Sequence, residues 1–175
     1  DQKQHLEMTR DLGMAFNRKY GETFVIPEAQ VNDQVMTIPG TDGKKMSKSY
    51  GNTIDIFQSD KNLRKNIMSI VTDSLPLEAP KAPTTCNVFA LYKLLGTEEE
   101  ITSLKNKYLA GNYGYGHAKQ ELFELILSKY KQEREAYEKL INNPILLEKE
   151  LQKGEIKANK IAREVLNRVR EKIGY

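Results

Sequence analysis

The chain has 175 residues, 39% of them apolar, which is compatible with a soluble globular protein and enough for one good core or two small ones. A single cysteine, Cys86, excludes an internal disulfide, and the two histidines, His5 and His117, lie too far apart, without cysteine company, to form a zinc site. A formal charge of +3 tilts the chain weakly towards polyanions, while the lack of a signal-peptide pattern, or of any apolar run near the roughly 18 residues of a membrane span, fits a reducing cytoplasm.

From Gln4 to Tyr20, Met8, Leu12, Ala15, Phe16 and Tyr20 recur at helical spacing, which predicts an amphipathic helix with these residues in the core and Gly21 as its stop. Asp1 and Gln2 stand just before it; on the residues alone they read as a frayed polar terminus. Phe24 to Val31, interrupted by Pro27, suits an edge or connecting segment. Gln34 to Ile38 reads as a short strand, with Val35 and Met36 alternating on a half-buried face.

The turn from Pro39 to Gly43 then leads into Lys44 to Asn52, where Lys44, Lys45, Lys48, Ser47 and Ser49 crowd between Gly43 and Gly51. By composition this is a solvated basic loop as readily as a site. Its position at a strand end, where α/β sheets place ligands, points to a phosphate-rich ligand. Several compact ammonium groups on a mobile loop can close over negative charge.

Beyond the loop the period is helical. Asp60 to Asp73 carries Leu63, Ile67, Ile70 and Val71 on one face, with Ser59 or Asp60 as the cap. Pro76, Pro80 and Pro83 make Leu75 to Thr85 an extended connector. Asn87 to Leu95 is a short helix ended by Gly96, and Thr97 with Glu100 has capping-box spacing for a helix to about Ala110. Gly111, Gly114 and Gly116 lack the lysine and hydroxyl residues of a P-loop; with Tyr113 and Tyr115 they read as a helix-to-helix turn with aromatic packing, and His117 as packing or capping at the start of the next helix. The longest helix is expected from Ala118 to Asn142, broken by Pro144, then a shorter one from Ile145 to Gln152 ending near Gly154. A last helix carries Ala158, Ile161, Ala162, Val165, Val169 and Ile173 on one stripe before Gly174. Its opposite face holds Lys157, Lys160, Arg163, Asn167 and Arg170 with Glu155, Glu164 and Glu171, a mixed-charge solvated face by default.

Lys45-Met46-Ser47-Lys48-Ser49 matches the KMSKS signature of class I aminoacyl-tRNA synthetases without a mismatch. Residues 1–11, 67–74, 111–117 and 154–158 resemble segments of tryptophanyl-tRNA synthetases of bacterial type, and the chain is similar to the C-terminal half of that family. The resemblance implies a mainly α fold: the C-terminal remainder of a Rossmann-like α/β catalytic domain over residues 1–52, then an α-helical bundle over residues 53–175 that binds the tRNA anticodon. It implies ATP and Mg2+ as cofactors, tryptophan and tRNA(Trp) as partners, and a homodimeric intact enzyme.

By the same resemblance Asp1 would hold the ATP ribose, Gln2 would lie beside the amino acid, and Val35 and Met36 would contact adenine. Lys45 and Lys48 would stabilise departing pyrophosphate, with Met46, Ser47 and Ser49 completing the loop's contacts. Lys157, Lys160 and Arg163 are the candidate tRNA contacts. No HIGH-type signature or indole pocket is visible, and Asp1 falls inside a motif. The chain is therefore expected to be a fragment that does not make the adenylate alone. A tyrosyl-tRNA synthetase and a non-catalytic helical RNA-binding module are the competing readings.

Overall fold

Helix α1, Lys3–Tyr20, ends where Gly21 adopts φ +84° and turns the chain back on itself. Asn17 fastens that return. Its amide oxygen accepts from the backbone N–H groups of Thr23 and Phe24 at 3.1 and 2.9 Å, and its amide nitrogen donates to the Phe24 carbonyl at 2.8 Å. Phe16 packs between Tyr20 and Phe24, with ring centroids 4.8 and 5.0 Å apart. The packed face is thus Gly13, Phe16, Asn17 and Tyr20. The expectation that Met8 and Leu12 are core residues is corrected, since they are 58% and 72% exposed.

The computed structural model describes residues 2–30 and 37–175, which divide into two units, one of Asp1–Met36 with Lys139–Tyr175 and one of Thr37–Glu138. The second unit holds the fully buried core, contributed by α2 (Asp60–Met68), α3 (Asn87–Leu95), α4 (Glu98–Ala110) and α5 (Tyr115–Lys129). Leu63, Ile67, Leu104, Tyr108 and Leu122 have no exposed surface. Helix α5 packs on both α2 and α3. The capping box predicted for α4 is present: Thr97 accepts from the Glu100 N–H, and Glu100 accepts from the Thr97 N–H at 2.8 Å.

An aromatic cluster closes the turn between α4 and α5. Buried Tyr108 lies about 6 Å from the rings of Phe89, Tyr113 and Tyr115. The Tyr113 hydroxyl donates to Glu121 at 2.7 Å and the Tyr115 hydroxyl to Asp73 at 2.8 Å. Burial pushes all three phenols above the usual tyrosine range. Beneath them the connector is gathered around Lys81, 2% exposed, whose ammonium donates to the carbonyls of Pro76, Leu77 and Ala79 at 3.0–3.1 Å. All three of its protons are used.

The expected fold class is contradicted in its α/β part: among the described residues there is no β-strand. Near the lysine loop only an isolated antiparallel bridge joins Pro39 and Lys45. Beside it the Ser47 N–H and the Lys45 carbonyl bond to the Asn52 side chain. The strand expected over Gln34 to Ile38 lies largely outside the described residues.

Helix boundaries also shift. Helix α2 stops at Met68, not Asp73, because the Val71 N–H donates to the Thr41 carbonyl at 2.8 Å and leaves the helical ladder. The single helix expected from Ala118 to Asn142 is two, α5 and α6 (Lys131–Ile141), separated at Tyr130. Arg134 binds the Ile56 carbonyl and Asp60, and Tyr137 stacks on Phe57 at 4.7 Å, so α6 is drawn to the segment before α2.

The longest helix is α7, Pro144–Ile173, and it runs through Gly154 without a stop. Pro144 serves as its first residue, with Asn143 accepting from the Leu146 N–H at 3.0 Å. Most of its apolar stripe is exposed within this chain, Ile161 at 66% and Leu166 at 45% among them. No described helix is long and apolar enough to cross a membrane.

These two environments separate by mutation. Leu122→Ala should destabilise the chain by about 3 kcal/mol in urea unfolding, because it leaves a cavity in packed surroundings. Leu166→Ala should change it by less than about 0.5 kcal/mol.

Candidate functional site

The lysine loop begins and ends on one buried amide. Asn52 is 3% exposed, and each of its polar atoms is engaged within the loop. Its oxygen accepts from the Ser47 N–H at 2.8 Å; its nitrogen donates to the Asp42 carboxylate at 2.7 Å and to the Lys45 carbonyl at 3.1 Å. Asp42 also accepts from the Lys44 N–H at 3.0 Å. The Asn52 amide, and with it the Lys44 N–H, holds the exposed Asp42 carboxyl below the usual aspartate range. Gly40 is required beside this knot. A Cβ there would overlap the Asn52 amide and stand 2.7 Å from the Asn52 carbonyl oxygen.

Backbone pairing completes the base. Gly40 N–H donates to the Lys44 carbonyl at 2.7 Å, Met46 N–H to Ile38 at 2.9 Å and Thr41 N–H to Asn52 at 2.9 Å. Two further asparagines tie it to the helices: Asn66 donates to the Thr53 carbonyl and Asn87 to the Val71 carbonyl, both at 2.9 Å. Met46 packs against the core, so the loop has an apolar anchor as well as a polar one.

From this base the loop presents a single 3₁₀ turn, Lys48–Tyr50, closed by Gly51 in the left-handed region at φ +65°. Ser47 caps it, accepting from the Ser49 N–H, and the two hydroxyls lie 2.7 Å apart. The N–H groups of Met46, Ser47, Ser49, Tyr50 and Gly51 are all spent inside the loop. Among the described residues, the Lys48 N–H, the second hydroxyl hydrogen of the serine pair and the Lys48 ammonium remain for a ligand. Lys48 is exposed and has no ion pair among the described residues. This face, rich in lysine side chains, suits a polyphosphate oxygen cluster.

Of the expected site residues, the structure brings Lys45, Met46, Ser47, Lys48 and Ser49 together on this loop. Asp1, Val35 and Met36 lie outside the described residues. Gln2 is at the N-cap of α1 without a side-chain cap bond. Lys157, Lys160 and Arg163 are exposed along α7, in the other unit from the loop. Asp42, Asn52, Asn66, Asn87 and Gly40 were not predicted. Their signal in the sequence is slight, an Asp-Gly turn and an Asn just past the signature. No group of three or more His, Cys, Asp or Glu that could hold a metal ion lies among the described residues.

Residues 1–131 match the family model for class I tRNA synthetases (W and Y). That span runs without a break from the loop through α5, whereas a Rossmann-like remainder followed by a separate bundle was expected. The chain is 48% identical over 174 residues to a tryptophan-tRNA ligase of Campylobacter jejuni (strain RM1221), covering 99% of this chain and 54% of the relative. With the enzyme of the same name from Fusobacterium nucleatum it is 49% identical over 175 residues, again with 99% and 54% coverage. A crystal structure of tryptophanyl-tRNA synthetase from C. jejuni, complexed with ADP and tryptophan, superposes with a TM-score of 0.83 at 48% identity, covering 99% of this chain and 55% of that one. The chain spans about half the length of the curated relatives it matches.

Asn52→Ala should cost about 2 kcal/mol of stability, the price of a buried donor or acceptor left unmet, and should remove hydrogen-exchange protection at the Ser47 amide. The Asp42 contribution has a definite sign. Its folded pKa is depressed, so the contribution is complete above the ordinary aspartate value and lost as pH falls through the lowered one. Carbon-detected NMR titration of the Asp42 carboxyl, read beside Ser47 exchange, should show the two changing together.

Proposed function

The chain belongs to the class I tRNA synthetases of the tryptophan and tyrosine group, and from that membership we propose that it works as part of a tryptophan-tRNA ligase, its lysine loop serving the ATP-dependent step. The observation that carries this reading is Lys48, an exposed ammonium without an ion pair among the described residues, held on a turn whose base is locked by Asn52. Relatives named for tryptophan support the amino acid. ADP and tryptophan bound in the C. jejuni enzyme support the ligand pair.

In this reading the tryptophan carboxylate attacks the α-phosphorus of ATP, the bond to pyrophosphate breaks, and the leaving group departs with the charge. The adenylate then esterifies the terminal adenosine of tRNA(Trp) and releases AMP. Lys48 and Lys45 stabilise the departing pyrophosphate, and the Ser47–Ser49 hydroxyl pair donates one further hydrogen bond. Met46 contributes its grip on the core, since its N–H is already paired with Ile38. Magnesium would come as an ion carried on the nucleotide's phosphates, since no group of three or more His, Cys, Asp or Glu that could hold it lies among the described residues.

Asp1 for the ribose, Val35 and Met36 for adenine, and Gln2 for the amino acid complete the nucleotide half of the proposal. Residues 53–175 would carry the tRNA contact, with Lys157, Lys160 and Arg163 on α7 positioning phosphates. The intact enzyme would act as a homodimer.

ATP–pyrophosphate exchange tests this. The full-length protein should exchange with tryptophan and not with tyrosine, and the 175 residues alone should not exchange. Lys48→Ala should lower the exchange rate roughly a hundredfold, about 3 kcal/mol, with tRNA affinity retained. Exchange with tyrosine in place of tryptophan, or a Lys48→Ala protein exchanging at the parental rate, would defeat the proposal.

A further inference from the structure

A cleft of about 590 Å³ lies in the same unit as the lysine loop, between α2 and the start of α5. Arg64, Met68, Gly114, Gly116, His117 and Gln120 line it, with no carboxylate among them. Its cation is held in position. The Arg64 Nε donates to the Gln120 oxygen at 3.0 Å, and the Gln120 nitrogen is fixed in turn by Glu124 at 2.8 Å. The two terminal nitrogens of the guanidinium have no partner among the described residues. Lys119 donates to the Met68 carbonyl at 3.0 Å and joins α5 to the end of α2.

Charge continues beyond the cleft. On α2, Lys61 falls three residues before Arg64, so helical spacing sets it beside Arg64, and Lys65 stands one turn on from Lys61; both are exposed. The rim is open on the α5 side, since a Cβ added at Gly116 would meet nothing within 4 Å. Next to it the His117 ring is exposed, its centroid 5.8 Å from that of Tyr113 and tilted 39° to it.

We propose that this cleft binds a phosphodiester of single-stranded RNA, the Arg64 fork gripping the phosphate and the His117 ring receiving the face of an adjacent base. A planar guanidinium with two free nitrogens matches two phosphate oxygens. Unpaired bases expose faces that stack on rings, and lysines along one helix track a backbone, which together favour RNA over a phosphorylated peptide. That the polymer is RNA rests on the tRNA reading above; the anion site itself rests on the cleft.

The test uses fluorescence anisotropy of a labelled tRNA(Trp) transcript and a labelled single-stranded RNA with the 175-residue chain across a salt series. Arg64→Gln should weaken both about tenfold, the scale of one charge-assisted hydrogen bond, and flatten the slope of log K against log salt by about one. Gly116→Asp adds a carboxylate at the open rim, where it strains nothing, and should weaken binding as much without lowering the melting temperature. Unchanged affinity and slope in both variants overturn the proposal, as does a phosphoserine peptide that binds the cleft as tightly as the RNA. Arg64-dependent RNA binding by a protein whose full-length form gives no tryptophan-dependent exchange would defeat the ligase reading and leave the cleft standing. Exchange together with Arg64-independent RNA binding would defeat the cleft alone.

Discussion

A buried primary amide that finds partners for both its ends constrains the loop more firmly than any of its charges. Asn52 receives the Ser47 N–H and gives hydrogens to Asp42 and to the Lys45 carbonyl, so one side chain holds the first and middle residues of the signature and the turn before it. A buried amide short of even one of these partners would lose on the order of 1–3 kcal/mol. The loop can therefore carry exposed cations in a fixed frame, although like charges so close together would otherwise spread. Fixing the base and leaving the tip polar is what a loop that must meet a polyanion requires.

That frame extends into the helices by single hydrogen bonds and not by a sheet. Thr41 draws the Val71 N–H out of the helical ladder, Val71 in turn receives Asn87 from the first residue of α3, and Asn66 reaches from α2 to Thr53. The loop and the core of its unit are consequently one mechanical body. The residues that make them so are short polar side chains, whose few rotatable bonds lose little entropy on fixing.

How much of this was legible in the sequence follows from the range of each interaction. The capping box at Thr97, the stops at Gly21 and Gly174, and the aromatic turn before α5 rest on residues within a few positions of one another, and they lie where the spacing places them. The end of α2 depends on Thr41, some thirty positions away, and the break at Tyr130 on contacts with Ile56, Phe57 and Asp60. No local pattern carries such information. Gly154 misled for a different reason: glycine permits a helix end without imposing one, and α7 absorbs it at a cost of about 1 kcal/mol. At the site the lysines were legible as a motif, whereas Asn52, Asp42 and Gly40 form a contact that exists only once the loop has closed.

The cage around Lys81 has a chemical consequence. A lysine 2% exposed, its ammonium surrounded by three carbonyls and covered by the Tyr115 ring, 5.4 Å from its centroid, is out of reach of an acylating reagent while the connector is intact. Lys48, exposed on its turn, has no such shelter. Amine-directed covalent labelling would thus write two records on one molecule: the mark on Lys48 reports what covers the loop, and a mark on Lys81 reports that the core beneath it has opened.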